Sequence, residues 1–482
     1  MKRIKKILFA LFSLALITSS CDKDFEELNQ DPNNSTALPA HLLLGSSQRI
    51  YTNVLYGVLG GTGGDMGAIW AQHMTKVQYN DEERYVPRRG VIDNIYNSIY
   101  SNVASETNAM YNLAAEEENQ VLQGAALVMK GVAFQTLAEL YGPVPFTEAL
   151  DQTILKPAYD DEATVFEGVI DLYTQAAGLL GSGNGSIEAT SDLYYGGDAS
   201  QWRKLANSLK FRALMRISST RDVSSELQAL VNGGQLFTSN ADNAQLPYLE
   251  ASPDANPFYE TIVFGSRLEY KINSALTDLM ESLNDPRLEV YAGENVDGDI
   301  VGKPSGYGSP TTLPNEDLGY TYANISGLGD FYLDPTLPGV LMSYSQLNFL
   351  MAEAANEGYI SGGTTQALEY YMEGIQASFD FNGVDASTYL AQTDISFSSQ
   401  AEARTKIGQQ EWLALFGQGF EAWTEWRRTK LPALSPAIEG ALNQIPSRYY
   451  YPTTEVSLNK DNYDSGAQRI GGDELTSALF WQ

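Results

Sequence analysis

The chain holds a single cysteine, Cys21, among 482 residues, which excludes any intramolecular disulfide. It has two histidines, His41 and His73, neither with a cysteine or glutamate at metal-ligand spacing. Both fall in stretches that read as helical, where a packed or capping role suits them better than ligation. Bases are scarce: 30 Lys+Arg stand against 60 Asp+Glu, a net charge of −30. Phosphate backbones and anionic headgroups repel such a surface, so nucleic acid is excluded as a partner. Beyond the first twenty residues no apolar run reads as long enough to span a bilayer. A phosphate loop is missing as well, because the glycine-dense Gly57–Gly67 stretch lacks the lysine and the strand-to-helix context. No cofactor signature is present.

What is there begins with an address. Lys2, Arg3, Lys5 and Lys6 precede an apolar run from Ile7 to Ile17, then Thr18-Ser19-Ser20-Cys21. A basic start, a short apolar core and small residues before a cut make residues 1–20 a signal peptide. The only cysteine at the cut reads as a lipobox, with Cys21 acylated and becoming the first mature residue. Residues 21–39 are acidic, rich in Asn and broken by Pro32, as a tether would be, which leaves 40–482 as one large domain.

The strong signals in that domain are helical. Ile92, Ile95, Ile99, Val103, Met110 and Ala114 recur at three- and four-residue steps, and Val121–Tyr141 is apolar nearly all round, with alanines and Gly131 along it. Further helix pairs follow at Val165–Leu179 with Trp202–Leu209 (Asp198 as N-cap), Leu347–Asn356 with Leu368–Phe379, and Ile407–Phe416 with Phe420–Trp426. Interlocking large and small residues on these hairpins predict a mainly α fold with tetratricopeptide-like packing, although no strict repeat period is visible. Between about 233 and 339, Gly, Pro, Asn and Asp recur with Tyr and Phe between them, which predicts an irregular, loop-rich lobe.

Catalytic signatures are few. Glu116-Glu117-Glu118 and Asp160-Asp161-Glu162 sit at helix boundaries, where capping and dipole compensation account for them. Asn295, Asp297 and Asp299 alternate as calcium-loop oxygens do, but the sixth-position glycine and distal glutamate are missing, so no metal is assigned. Trp412, Phe416, Phe420 and Trp423 share one helical stripe and read as core.

Several segments in order carry a resemblance. They are the Cys21 lipobox, Tyr96-x3-Tyr100, Gly142-Pro143-Val144-Pro145, Trp202–Arg216 around Ala206-Asn207-Ser208, Asp285-Pro286-Arg287, Asn348–Ala354, Glu411–Arg428 and Ile445–Pro452. Over essentially the whole mature chain the sequence resembles the SusD/RagB-like outer-membrane lipoproteins of Bacteroidota. The resemblance implies a tetratricopeptide-like scaffold with an irregular lobe and no catalysis. It also implies a surface position over a SusC-like TonB-dependent transporter, to which captured oligosaccharides, or in some members peptides, are delivered.

Three functions were open at this level: a nutrient-binding receptor, a surface glycosidase, and an adhesive protein that binds only other proteins. A receptor fits the anchor, the tyrosine-rich loops and the resemblance. Its site is expected where the 70–90 segment meets the 305–332 lobe, with Trp70, Tyr79, Tyr85, Tyr320, Tyr322 and Tyr332 as ligand contacts. Tyr79 and Tyr85 flank the charged turn Asn80–Arg84, and Tyr320 and Tyr322 would share one side of an extended strand. These rings are amphipathic, and a sugar face stacks on such rings.

Overall fold

The apolar spacing of residues 92–114 becomes one helical rod in the computed structural model, which describes residues 38–57, 64–307 and 320–482. The expected signal peptide, Cys21 and nearly all of the expected tether lie outside the described residues. Ahead of the rod come α1 (Leu42–Tyr56), α2 (Gly64–Trp70) and β1 (Met74–Lys76). The rod itself is α3 (Arg89–Asn97), a π-helical segment Ser98–Ala104, and α4 (Ser105–Glu116). All six apolar residues of the stripe are fully buried.

Asn119 caps α5 (Gln120–Tyr141) by accepting from the Leu122 N–H, and Gly142, at φ 90°, ends it. By length and composition α5 could cross a membrane, contrary to the sequence reading that no such run exists; it is instead almost wholly buried within the protein. It is apolar all round because it lies between α4 and α6 (Glu162–Ser182), with α7 (Ala199–Arg216) beyond. The small residues matter at the crossing: a Cβ on Gly131 would meet the Tyr173 ring at 2.6 Å. Asp198 caps α7 as expected, accepting from the Ser200 and Gln201 N–H groups.

The loop-rich stretch contributes β2 (Ala244–Leu246), β3 (Tyr270–Ile272) and α8 (Ser274–Ser282). After it come β4 (Gly339–Met342), α9 (Tyr344–Asn356), α10 (Gly363–Phe381), α11 (Gln400–Ala414) and α12 (Gly419–Thr429). β1 pairs antiparallel with β3, setting Met74 opposite Ile272 and Lys76 opposite Tyr270; β2 pairs antiparallel with β4 through a bulge at Ala244/Gln245. Helix α9 packs on α10 and α11, and α12 packs on α2. These antiparallel pairs make a tetratricopeptide-like helical scaffold with an irregular lobe. The α2–α12 crossing is so close that a Cβ on Gly67 would lie 2.7 Å from the backbone of Gly419.

The motif segments act as internal locks. Fully buried Arg216 donates to Glu139 (2.8 Å), Glu421 (2.7 Å) and Glu425 (2.6 Å), joining α5, α7 and α12. Burial alone would raise the Glu421 carboxyl, but Arg212 and Arg216 overcome it and hold it at about 2. Burial and the neighbouring Glu425 push Glu411 the other way, well above the usual carboxylate range. Arg287 pairs with Asp285 and also donates to Ser378 and Gln410, tying the lobe to α10 and α11. Arg448 donates to the Tyr141 carbonyl and to Asp473, while the Tyr449 N–H donates to the Leu140 carbonyl. 

His41 precedes α1 without a side-chain cap bond. His73 sits in the turn after α2 rather than on a helix; its ring lies 4.5 Å from Trp412, and burial pulls it down to about 3, so it is neutral. Trp412, Phe416, Phe420 and Trp423 are buried, as expected, but they do not share one helical stripe: α11 ends at Ala414, Phe416 lies in the turn, and α12 begins at Gly419.

Candidate functional site

Four segments converge where the site was expected: 77–85 after β1, 267–271 entering β3, 303–307, and 320–326. Residues 308–319, between the last two, lie outside the described residues. The convergence is built on buried charge. Glu83 accepts from Thr75 Oγ1 (2.5 Å), the Lys76 N–H (3.1 Å), Lys303 Nζ (3.1 Å) and the Gly306 N–H (2.6 Å). One carboxylate thereby joins the loop, the strand and the lobe. Beside it Glu82 pairs with Lys76 and Arg88, and Asp65 accepts from the Tyr270 hydroxyl at 2.7 Å. Burial raises both carboxyls; Lys76 and Arg88 reverse this at Glu82, which ends low, but not at Asp65, which stays raised. Few of these charges reach solvent, so their geometry is set before any ligand arrives.

Above this floor the rings divide into two groups. Tyr79 is 53% exposed and Tyr322 is 36% exposed. Tyr79 takes a positive φ of 54°, and the Arg267 guanidinium lies 5.4 Å from its ring centroid. The Tyr322 hydroxyl donates to Gln78 Oε1 at 2.5 Å, and Lys271 Nζ donates to the Tyr322 carbonyl at 2.8 Å. Burial, then Glu269 and Tyr79, raise the Tyr322 hydroxyl, so the two tyrosines are electrostatic neighbours. Half-buried Tyr320 meets half-buried Tyr307 edge-on, with centroids 5.4 Å apart. Residues 320–325 form coil and turn, not the extended strand expected for them, because Thr321 Oγ1 accepts from the Ala323 and Asn324 N–H groups.

The other three expected contacts are core. Trp70 (1% exposed) packs edge-on against Trp423 and Tyr449, and its indole N–H donates to the Glu82 carbonyl at 2.9 Å. It braces the turn instead of facing a ligand. Tyr85 (4% exposed) has a positive φ, as a loop residue can, but Gly440 lies against its ring and its hydroxyl accepts from the Ala437 N–H. Tyr332 (3% exposed) packs on Phe416 at 4.6 Å and donates to Asn382. Tyr85 does lie in a loop, whereas Trp70 ends α2, in a stretch whose sequence reads as helical, and Tyr332 sits in a 3-10 turn (Asp330–Leu333); distant segments cover all three. Sequence reasoning missed Tyr307 and Arg267; the Tyr307-Gly308 pair in the lobe was the available signal for the first, and nothing local marked the second.

A separate open cleft of about 1110 Å³ runs along the lobe between Glu281, Glu289, Glu294, Asp299 and Asp330, with Phe331 in its wall. The Asn295–Asp299 loop borders it, and the Asn295 side-chain oxygen is occupied by the Asp297 and Asp299 N–H groups, as in an Asx turn. No group of His, Cys, Asp and Glu able to hold a metal occurs among the described residues.

A SusD-like family model, described as starch-binding and associating with the outer membrane, matches residues 39–452. No curated protein matches the chain significantly. Among solved structures it is similar to a chitin-binding SusD homolog from Flavobacterium johnsoniae, with 20% identity over 91% of this chain and 98% of that one and a TM-score of 0.79. A SusD homolog from Bacteroides fragilis is 25% identical over 92% of this chain and 99% of that one, with a TM-score of 0.77. A further chitin-binding protein is 23% identical over 92% and 99%, with a TM-score of 0.76.

Proposed function

The chain belongs to the SusD-like family of outer-membrane-associated proteins, and from that premise we propose that it captures a nutrient oligosaccharide at the cell surface and hands it to a SusC-like TonB-dependent transporter. The observation that carries the reading is the pair of exposed rings, Tyr79 and Tyr322, standing on a floor of locked ions. Flat amphipathic rings bury the C–H face of a sugar while Gln78, Arg267 and Lys271 supply hydrogen bonds beside them. The chitin-binding relatives and the family description support a glycan as ligand. In this reading the protein binds and does not turn its ligand over, and acyl chains on Cys21 hold it in the outer leaflet, facing the medium.

A glycan and peptide array probed with the Cys21→Ser protein tests the ligand class. Oligosaccharide binding without turnover is the expected result. Binding to peptides alone would replace the reading with a peptide receptor of the same family, and hydrolysis of a glycan would make it a glycosidase. Mild detergent extraction of cells expressing the transporter should recover both proteins together; a monomer recovered alone each time sinks the partnership.

A further inference from the structure

Where the C-terminal ends of α7, α9 and α12 meet the middle of α11, a cavity of about 310 Å³ opens, and it shares no residue with the Tyr79–Tyr322 face. Two bidentate ion pairs line it. Arg428 spans both oxygens of Glu353 at 2.7 and 2.5 Å, and Arg404 spans both oxygens of Glu357 at 3.0 and 2.7 Å. Each carboxylate is held bidentately by a guanidinium, Arg428 also donating to Glu425, so these walls offer paired polar edges. Half-buried Tyr359 adds a ring, with Ile407 and Leu431 supplying apolar surface. Trp481 completes the lining. It is 1% exposed, its ring is held by Arg427 and Arg216, and its indole N–H is buried without a partner among the described residues. The N–H itself is closed to solvent, so Trp481 serves the cavity as wall and not as a donor.

We propose that this cavity is a second ligand site and that it takes a neutral saccharide unit of one or two rings. The volume lies at the small end of the roughly 300–1,000 Å³ typical of small-molecule sites. A charged ligand would have to displace a guanidinium or a carboxylate from its bidentate partner, and at the mostly buried Arg428–Glu353 pair that would strand a charge. Hydroxyl groups instead donate to the spare lone pairs of Glu353 and Glu357, leaving both pairs intact. The C–H face of the ring rests on Tyr359. The assignment does not depend on the reading of the Tyr79–Tyr322 face.

The test follows the Trp481 indole N–H resonance of the Cys21→Ser protein, identified by its loss in Trp481→Phe, during titration with maltose, N,N′-diacetylchitobiose and glycylglycine. A disaccharide is expected to shift this resonance equally in the otherwise unaltered protein and in Tyr79→Ala/Tyr322→Ala. The dissociation constant should rise roughly tenfold or more in Ser219→Trp, which plugs the mouth from an exposed position, and in Tyr359→Ala. The proposal is overturned if neither sugar moves the resonance at millimolar concentrations, or if binding is unchanged in both variants. A shift with glycylglycine and not with sugar overturns the ligand class. Because the Tyr79/Tyr322 variant leaves the cavity untouched, loss of glycan binding at that face is read separately.

Discussion

In the helical scaffold, Arg216 gathers Glu139, Glu421 and Glu425 from helices up to 209 positions away from it; under the Tyr79 loop, Glu83 gathers Thr75, Lys303 and two backbone N–H groups. Both hubs are buried, but they constrain different things. The arginine holds side chains of packed helices, so its partners would be stranded charges in the core if it were lost. The glutamate, itself on the loop, holds main-chain N–H groups of strand β1 and of the lobe, so it sets the path of the segment that presents Tyr79. The first network is tied to the stability of the whole fold and the second to the shape of a surface.

Arg216→Met should break that comparison on the scaffold side with the largest effect. Three carboxylates lose their shared cation, and breaking buried pairs of this kind costs about 3–5 kcal/mol. Urea unfolding should show the drop; a midpoint unchanged from the parent protein would mean that the remaining arginines compensate. Glu83→Gln should act locally. We expect about 1–3 kcal/mol lost, faster hydrogen exchange at the Lys76 and Gly306 amides, and weaker glycan binding, with a smaller fall in the unfolding midpoint than for Arg216→Met. Equal falls for the two would erase the distinction between the hubs.

The rings sharpen it further. Tyr79→Ala and Tyr322→Ala should each lower affinity by about 1–3 kcal/mol, the scale of stacking on an aromatic ring. Stability should stay within about 0.5 kcal/mol, as for exposed positions. Tyr85→Ala, by contrast, should destabilise the protein, because that ring is covered by Ala437 and Gly440. Calorimetry beside thermal melts separates the two classes, and an exposed-ring variant that melts early would misplace its residue.

A further effect concerns pH and sets a buried scaffold carboxyl apart from both hubs. Burial pushes the Glu162 carboxyl up to about 8, against 4.5 for the free side chain. Between those values the folded chain keeps a proton that the unfolded chain releases. The stabilisation is therefore complete below about 4.5 and is lost as pH rises through about 8. Glu162→Gln should flatten the decline in stability between about pH 5 and about pH 9. Parallel curves for the two proteins would remove Glu162 as its source.

Much of the scaffold was legible because its signals are local. The stripe from Ile92 to Ala114, the cap at Asp198 and the glycine at the end of α5 each act within a turn or two of chain. The site was legible only as a place. Segments 70–90 and 305–332 do meet, and Tyr79 and Tyr322 are exposed there, but Trp70, Tyr85 and Tyr332 are core. The same misreading applies to charge: within the turn 80–84, Asn80, Glu82 and Glu83 are buried, though the stretch has the composition of a solvated loop.

The helical hairpins and the irregular lobe between them could be read from the chain because period, caps and turn residues express short-range physics, and the family from the resemblance of its ordered motif segments. Only the tertiary structure decided which tyrosines keep a free face and which carboxylates lose water. Those outcomes depend on what arrives from elsewhere: Ala437 and Gly440 over Tyr85, Phe416 against Tyr332, Lys303 onto Glu83. A residue's own neighbours in the chain say nothing about a cover that lies hundreds of positions away.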